Sequence, residues 1–279
     1  MKDIIIGCFN SYKPAQLQPW VNSIARSGFT GHCLAIIYGN TPTEVESKQY
    51  LQNAGFEVLS IPHFNKSIVV DRFKDAALYL HANRGKYRYV IATDVGDIVF
   101  QTNPSEFLKT RLQDKDLLVG SECILYKDET WGRQNIWMSY PTHADMMMDK
   151  VIYNAGSLAG KADAVTNLFV DIYNMSIETP VYNPDQAAMN VLIQTKYKDR
   201  TYFSSMKDGW SIQCGTVADP NRLFEYGNLL LETKFTFIDG IGYNEDELKV
   251  CLIHQYNRVP SLSHKIKSMY INKNRVNDK

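Results

Sequence analysis

The sequence predicts an α/β protein built on a mostly parallel central sheet flanked by helices. Three observations carry that prediction. Short apolar runs alternate with stretches of about a dozen amphipathic residues through the first hundred positions, the mark of parallel strands joined by right-handed helical crossovers. Glycines at 28, 31, 55 and 85 close those stretches, as expected where helices end. The run Tyr89-Val90-Ile91-Ala92 is continuously apolar, which suits a strand covered on both faces.

Taken in order, Asp3 to Asn10 is the first strand, and it ends in the polar cluster Asn10-Ser11-Tyr12. A helix from about Gln16 to Ser27 leads to a second strand, His32 to Tyr38. Thr43 is a plausible N-cap for a helix ending at Ala54, and Phe56 to Ile61 is the third strand. Asp71 to Asn83 carries Phe73, Ala76, Ala77 and Leu80 at helical spacing and delivers the chain to the strand at Tyr89. Beyond Pro104 the expected elements are a short helix near Ser105–Leu112, a strand at Asp116–Ser121 near the sheet centre, and a loop over Glu122–Arg133. A methionine-rich helix over Asn135–Lys150 follows, read as adaptable core or a flexible apolar wall. Val151 to Gly160 is a strand broken by Asn154-Ala155-Gly156, where small residues allow close approach, and a helix covers Lys161–Met175. The next helix begins at Tyr182–Asn190, with Asn183 as N-cap, Pro184 at its first position, and Gln186 and Asn190 sharing a face. Short strands are expected at Arg200–Phe203, Thr216–Ala218, Leu229–Leu231 and Phe235–Ile238, and a last one at Val250–His254. Lys265 to Lys279 reads as a solvated basic helix that frays.

Composition narrows the function. Thirty basic residues balance thirty acidic ones in 279, so no global field favours nucleic acid or an anionic membrane. The five cysteines are odd in number and widely spaced, which argues for free thiols in a reducing compartment rather than a disulfide framework or a zinc site. The N-terminal apolar run is too short for a signal peptide, and no run of about 18 apolar residues spans a membrane; the expectation is a cytoplasmic protein. There is no GxGxxG after the first strand and no GxxxxGK[ST] anywhere, which disfavours a nicotinamide-dinucleotide fold and a P-loop enzyme.

Asp94 and Asp97 stand where the fourth strand runs out. Positions three apart on a straight strand face opposite ways, so a shared ligand requires a turn between them, which Gly96 would permit. Two hard oxygen ligands with no thiolate or imidazole beside them suit Mg²⁺ or Mn²⁺, at the sheet edge where open α/β proteins bind ligands. A solvated loop pair or a helix cap is the bland alternative. Asp185 could simply complement a helix dipole, and His254, at the end of the last strand, gains weight only if it reaches the aspartates.

In this order, Asp94-Val95-Gly96-Asp97, Asn154-Ala155-Gly156, Asp185-Gln186 with Asn190 four positions after the Gln, and a late His254 resemble the GT-A class of nucleotide-sugar glycosyltransferases, most of all the retaining enzymes of the glycogenin and galactosyltransferase kind. The carboxylates here are separated by two residues rather than one. The family's glycine and lysine after the terminal histidine are missing, and Arg258 stands close enough to replace the lysine as a phosphate contact. The resemblance implies a single GT-A domain, Rossmann-like, over 1–279: a nucleotide-binding half at 1–104, a sugar and acceptor half at 105–260, and a basic tail at 261–279. It implies Mn²⁺ or Mg²⁺ on Asp94, Asp97 and His254, with Asp97 the firmer ligand and Asp94 shared with the ribose. Asn10, Ser11, Tyr12, Arg72, Gly96, Ala155, Gly156 and Arg258 would complete the donor site, and Gln186, Asp185 and Asn154 would serve catalysis. The implied partners are a nucleotide-sugar donor, UDP- before GDP-, and a carbohydrate or other hydroxyl acceptor, with no nucleic acid. Retention of configuration would need no base; inversion would call on Glu122 or Asp185. Trp131, Trp137 and Trp210 could form stacking surfaces for an acceptor sugar, but ordinary core or loop packing is the leading reading of each. Two alternatives remain. A sugar-phosphate nucleotidylyltransferase would carry a Gly-rich, Arg-containing loop where Asn10-Ser11-Tyr12 stands. A nucleotide- or glycan-binding module without turnover would be favoured by burial of one aspartate against Arg72 or Arg88.

Overall fold

In the computed structural model, which describes residues 1–271, the first hundred residues form β1 (Lys2–Phe9), α1 (Pro14–Arg26), β2 (His32–Tyr38), α2 (Pro42–Asn53), β3 (Glu57–Ile61), α3 (Ile68–Ala82) and β4 (Tyr87–Thr93). These strands lie side by side as β3-β2-β1-β4, every neighbouring pair parallel. After β3 the chain crosses to the far side of β1, so the order reverses between β1 and β4. Such a reversal opens a crevice beyond the carboxyl ends of the two strands, and the segments Asn10–Tyr12 and Asp94–Asp97 leave β1 and β4 there.

The chain continues through β5 (Ile98–Phe100), α4 (Pro104–Arg111), β6 (Leu117–Leu125), α5 (Thr130–Ser139), α6 (Pro141–Met147), β7 (Val151–Lys161), α7 (Ala162–Glu178), α8 (Asp185–Gln194) and β8 (Thr201–Ser204). The central sheet reads β3-β2-β1-β4-β7-β6-β8, with β7 antiparallel to both β4 and β6. The remainder is β9 (Ser211–Gln213), α9 (Cys214–Val217), α10 (Pro220–Tyr226), β10 (Thr236–Ile238), β11 (Ile241–Tyr243), β12 (Leu252–His254) and α11 (Pro260–Tyr270). β5, β12 and β9 form a second, three-stranded sheet.

Both faces of the central sheet are buried, which explains why its strands read as unbroken apolar runs. Ile4 and Ile6 face the layer of α3 and α7 with Phe73, Leu80 and Phe169. Ile5, between them, faces the opposite layer with Leu17 and Trp20 of α1 and Leu51 of α2. Trp20 is fully buried, and its Nε1–H donates to Thr93 Oγ1 at 3.1 Å. Gly7 admits this indole: a Cβ there would lie 2.6 Å from the Trp20 ring. The layer packing therefore fixes the last residue of β4, immediately before Asp94.

The structure departs from the sequence reading where tertiary contacts override local pattern. Glu122–Leu125 continue β6, and Thr130 begins α5, so Glu122–Arg133 is not one loop. Tyr140-Pro141 divides the expected helix at Asn135–Lys150 into α5 and α6, because proline cannot donate within a helix. Thr41, not Thr43, caps α2, with its N–H on Glu44 Oε2 at 2.9 Å. Pro184 takes the N-cap position of α8, and the Asn183 carbonyl instead accepts from Asn135 Nδ2 at 2.9 Å. Thr216–Ala218 falls in and just after α9 rather than in a strand, and Leu229–Leu231 forms no strand. The C-terminal helix is docked rather than solvated. Leu262, Ile266 and Tyr270 of α11 are buried, and Asn22 Nδ2 of α1 donates to the Tyr270 carbonyl at 2.6 Å. The rest of the tail, residues 272–279, lies outside the described residues. Among the described residues no helix is long and apolar enough to cross a membrane.

Candidate functional site

Two strand registers build the centre of the site. In the antiparallel pair β5–β12, His254 stands opposite Ile98, the residue after Asp97. In the parallel pair β12–β9, the same His254 stands beside Gln213. The histidine is thus fixed between a carboxylate and an amide by the backbone ladder of the small sheet. β4 supplies the other carboxylate: its ladder with β7 is extended by the Asp94 N–H, which donates to the Gly156 carbonyl at 2.9 Å.

Asp94, Asp97 and His254 come together, each offering one ligand atom, with these atoms within 4.8 Å of one another. His254 Nε2 lies 3.2 Å from Asp94 Oδ2 and 3.5 Å from Asp97 Oδ1. The ring is fully buried, and Nε2 has no properly directed hydrogen-bond partner. Nδ1 sits 2.8 Å from Gln213 Oε1, and Gln213 Nε2 donates to Ser157 Oγ and Ser211 Oγ at 2.8 and 3.0 Å. This arrangement assigns the Nδ1 proton to the Gln213 contact and aims Nε2 between the carboxylates. Burial alone would lower the His254 pKa; the Asp97 and Asp94 carboxylates reverse that and push it up to about 10.

A divalent cation fits this donor set. Two carboxylates and an imidazole converge, and the buried, unpartnered Nε2 is the orphan that a cation would satisfy. Gly156 makes the close approach possible. A Cβ on it would lie 2.4 Å from Asp94 Oδ2 and 2.7 Å from His254 Cε1.

Arg72, on α3, reaches the site from the opposite side. Its Nη1 meets Asp94 Oδ1 at 2.5 Å and its Nη2 meets Asp185 Oδ2 at 3.1 Å. Burial raises the Asp94 pKa, but Arg72 and His254 overcome this and hold it well below the usual carboxylate range. Asp185 behaves oppositely: burial raises its pKa, and the opposing pull of Arg72 does not cancel that. The Arg72–Asp94 pair is the contact expected of a module without turnover. It engages one oxygen of Asp94, whose side chain stays 36 % exposed with Oδ2 towards His254. Arg88 pairs instead with Asp3, far along β4 from the site.

Asn154, Gln186 and Asn190 serve the backbone of β7. Asn154 Oδ1 accepts from the Gly156 N–H at 2.7 Å, and its Nδ2 donates to Glu122 Oε1 at 2.6 Å. The other oxygen of Glu122 accepts from Thr216 Oγ1. Burial pushes the Glu122 pKa up. Gln186 Oε1 accepts from the Ala155 N–H at 3.2 Å, and Asn190 bonds both the N–H and the carbonyl of Tyr153, at 2.9 and 2.8 Å.

Two clefts flank the triad. The one between β1 and β4, about 200 Å³, is lined by Asn10, Tyr12, Ile68, Arg72, Asp94 and Asp97 among others. Tyr12 stacks on Phe9 with ring centroids 5.8 Å apart. The chain bends over Val95–Asp97 as expected, without Gly96 entering the left-handed region, and glycine is needed there for the ring as well: a Cβ would lie 2.6 Å from Tyr12. Ser11 does not line this cleft; its N–H donates to Glu44 Oε1 at 2.8 Å. Arg258 does not line it either. It belongs to the second cleft, about 290 Å³, together with Glu122, Trp131, Asn154, Gln186 and Gln255. Trp210 is fully buried, and its Nε1–H donates to the Ser157 carbonyl at 2.8 Å, which removes it as a stacking surface. Sequence reasoning missed Gln213, Thr216 and Ser157. Gln213 lies in a strand of three residues with no motif, and only its register beside His254 reveals it.

By sequence, the chain matches no protein-family model and no curated protein. By structure it is similar to mouse xyloside xylosyltransferase 1 in its apo form, at 10% identity, over 91% of this chain and 97% of that one, with a TM-score of 0.55. The likeness is one of fold: the chain has the GT-A-type architecture, a mostly parallel central sheet flanked by helices.

Proposed function

We propose that the chain transfers a sugar from a nucleoside-diphosphate sugar, UDP- before GDP-, to a hydroxyl acceptor, with retention of configuration. The observation that carries this reading is the convergence of Asp94, Asp97 and the unpartnered His254 Nε2 at the end of β4, on a fold of the GT-A type. Asp94, Asp97 and His254 would hold Mn²⁺ or Mg²⁺, whose charge offsets the negative charge that develops on a leaving diphosphate. The cleft with Asn10 and Tyr12 takes the base and ribose. Arg72 is a second cation at the same edge, already oriented by two carboxylates.

Retention is favoured because neither candidate base is free. Both Glu122 oxygens accept hydrogen bonds, and Asp185 is paired with Arg72. Asp185 and Gln186, at the start of α8, would then be the groups that face a positively charged sugar carbon. Asn154 holds the Gly156 backbone beneath Asp94. A cytoplasmic setting, in keeping with five free cysteines, completes the proposal.

The Arg72–Asp94 pair supports a second reading, a non-catalytic nucleotide- or glycan-binding module. Calorimetric titration of UDP and GDP with Mn²⁺, then with EDTA, and again on Asp97→Ala, tests the first. Metal-dependent binding of one nucleotide that is lost in the variant is the expected result. If neither nucleotide binds, or binding ignores both metal and Asp97, the transferase reading is wrong and the module reading replaces it.

A further inference from the structure

The second cleft shares no lining residue with the cleft of Asn10 and Tyr12, and its Asn154 and Gln186 bond the β7 backbone at Gly156 and Ala155, beside Asp94. One wall is Trp131, 45 % exposed, in the first turn of α5, where its backbone N–H donates to Glu129 Oε1 at 3.2 Å. Ile124 and Ile152 continue the apolar lining. The charges of the cleft are largely committed. Glu122 is satisfied by Asn154 and Thr216, and Glu129 by the first turn of α5 and by Arg222 at 3.6 Å. Asp219 uses Oδ1 to cap α10, accepting from the Asn221 N–H at 3.0 Å. Several groups keep unused capacity among the described residues, among them Gln186 Nε2, a donor; Asp219 Oδ2 and the buried Gln255 Oε1, acceptors; and the Arg258 guanidinium, a donor.

An exposed indole face beside unspent donors and acceptors matches a ring with apolar faces and hydroxyl edges, since each hydroxyl both donates and accepts. The three carboxylates against two guanidiniums in the lining oppose an anionic ligand. We propose that this cleft binds an uncharged saccharide, its ring on Trp131 and its hydroxyls on Gln186 and Asp219, as the acceptor of the transfer. Its role as acceptor site rests on the transferase reading; its chemistry as a saccharide site does not.

The chain has four tryptophans, and Trp20 and Trp210 are fully buried. Trp137→Phe, outside the cleft, leaves Trp131 as the one solvent-facing indole among the described residues. In that background, acrylamide quenching is read with methyl glucoside, galactoside and xyloside, and with glucuronate and glucose 1-phosphate as anionic comparators. UDP with Mn²⁺ is titrated on the same protein. The expected result is protection of Trp131 by at least one neutral glycoside, weakened severalfold by Asp219→Asn, which keeps the helix cap and removes the charge. Protection by the anions alone, by none of the probes, or undiminished in Asp219→Asn would overturn the proposal. Nucleotide binding without glycoside protection refutes this site and leaves the transferase reading standing. Glycoside protection without nucleotide binding refutes the transferase reading and leaves a saccharide site.

Discussion

Replacing Gly156 by alanine tests the metal reading at its tightest point. The added Cβ would lie 2.4 Å from Asp94 Oδ2 and 2.7 Å from His254 Cε1, whereas non-bonded carbon contacts are most favourable near 3.5–4.0 Å. One group must move by about an ångström. Asp94 cannot retreat freely, because Arg72 holds its other oxygen and its N–H is tied to the Gly156 carbonyl. His254 cannot either, because Gln213 and the β5–β12 ladder hold it. Metal sites tolerate ligand displacements of only about 0.2 Å, and disturbance of ligand orientation typically lowers affinity 10- to 100-fold. Gly156→Ala is therefore expected to weaken Mn²⁺ binding by about that factor, ~1.4–2.8 kcal/mol. Calorimetric Mn²⁺ titration measures it, with a melting curve to confirm folding. A folded variant with wild-type Mn²⁺ affinity would show that Asp94 and His254 do not share an ion above Gly156.

Other residues give independent tests. Gln213→Leu removes the acceptor for His254 Nδ1–H and should lower Mn²⁺ affinity by roughly 10-fold or more, read by the same titration; unchanged affinity would mean that Gln213 does not orient the ring. Asn190→Ala strands the buried N–H and carbonyl of Tyr153 and should destabilise the chain by about 2–4 kcal/mol, measured by urea denaturation. Burial raises the Asp3 pKa, but the bonds from Arg88 outweigh it and lower the pKa overall. The stability Asp3 contributes is present above its unfolded pKa, about 3.9, and is lost as pH falls through the lower folded value. Asp3→Asn should flatten that acid limb of the stability curve, and an unaltered limb would exclude Asp3 as its source.

The sequence by itself determined the architecture of the first hundred residues, because a strand buried on both faces must be apolar throughout and a crossover helix must be amphipathic. Ile4, Ile5 and Ile6 are legible as such a strand without any structure. Asp94 and Asp97 were legible as carboxylates where β4 runs out, but a solvated loop pair or a helix cap fits that pattern too, and only the fold brings them together with His254. The second half was less readable. Its strands are short, and β9 and β12 have three residues each, too few to show a period. Local pattern likewise did not show that α11 packs on α1, because its lysines mask an apolar side consisting of Leu262, Ile266 and Tyr270. Tertiary structure alone decided that His254 reaches the aspartates, that Gln213 fixes its tautomer, and that Gly96, in the bend between the aspartates, also makes room for Tyr12. Arg258 was likewise placed in the second cleft only by the fold. These facts depend on contacts between segments distant in the chain, 41 residues apart for Gln213 and His254 and 156 for Ile98 and His254, and a non-local pairing leaves no trace in the spacing of neighbouring residues.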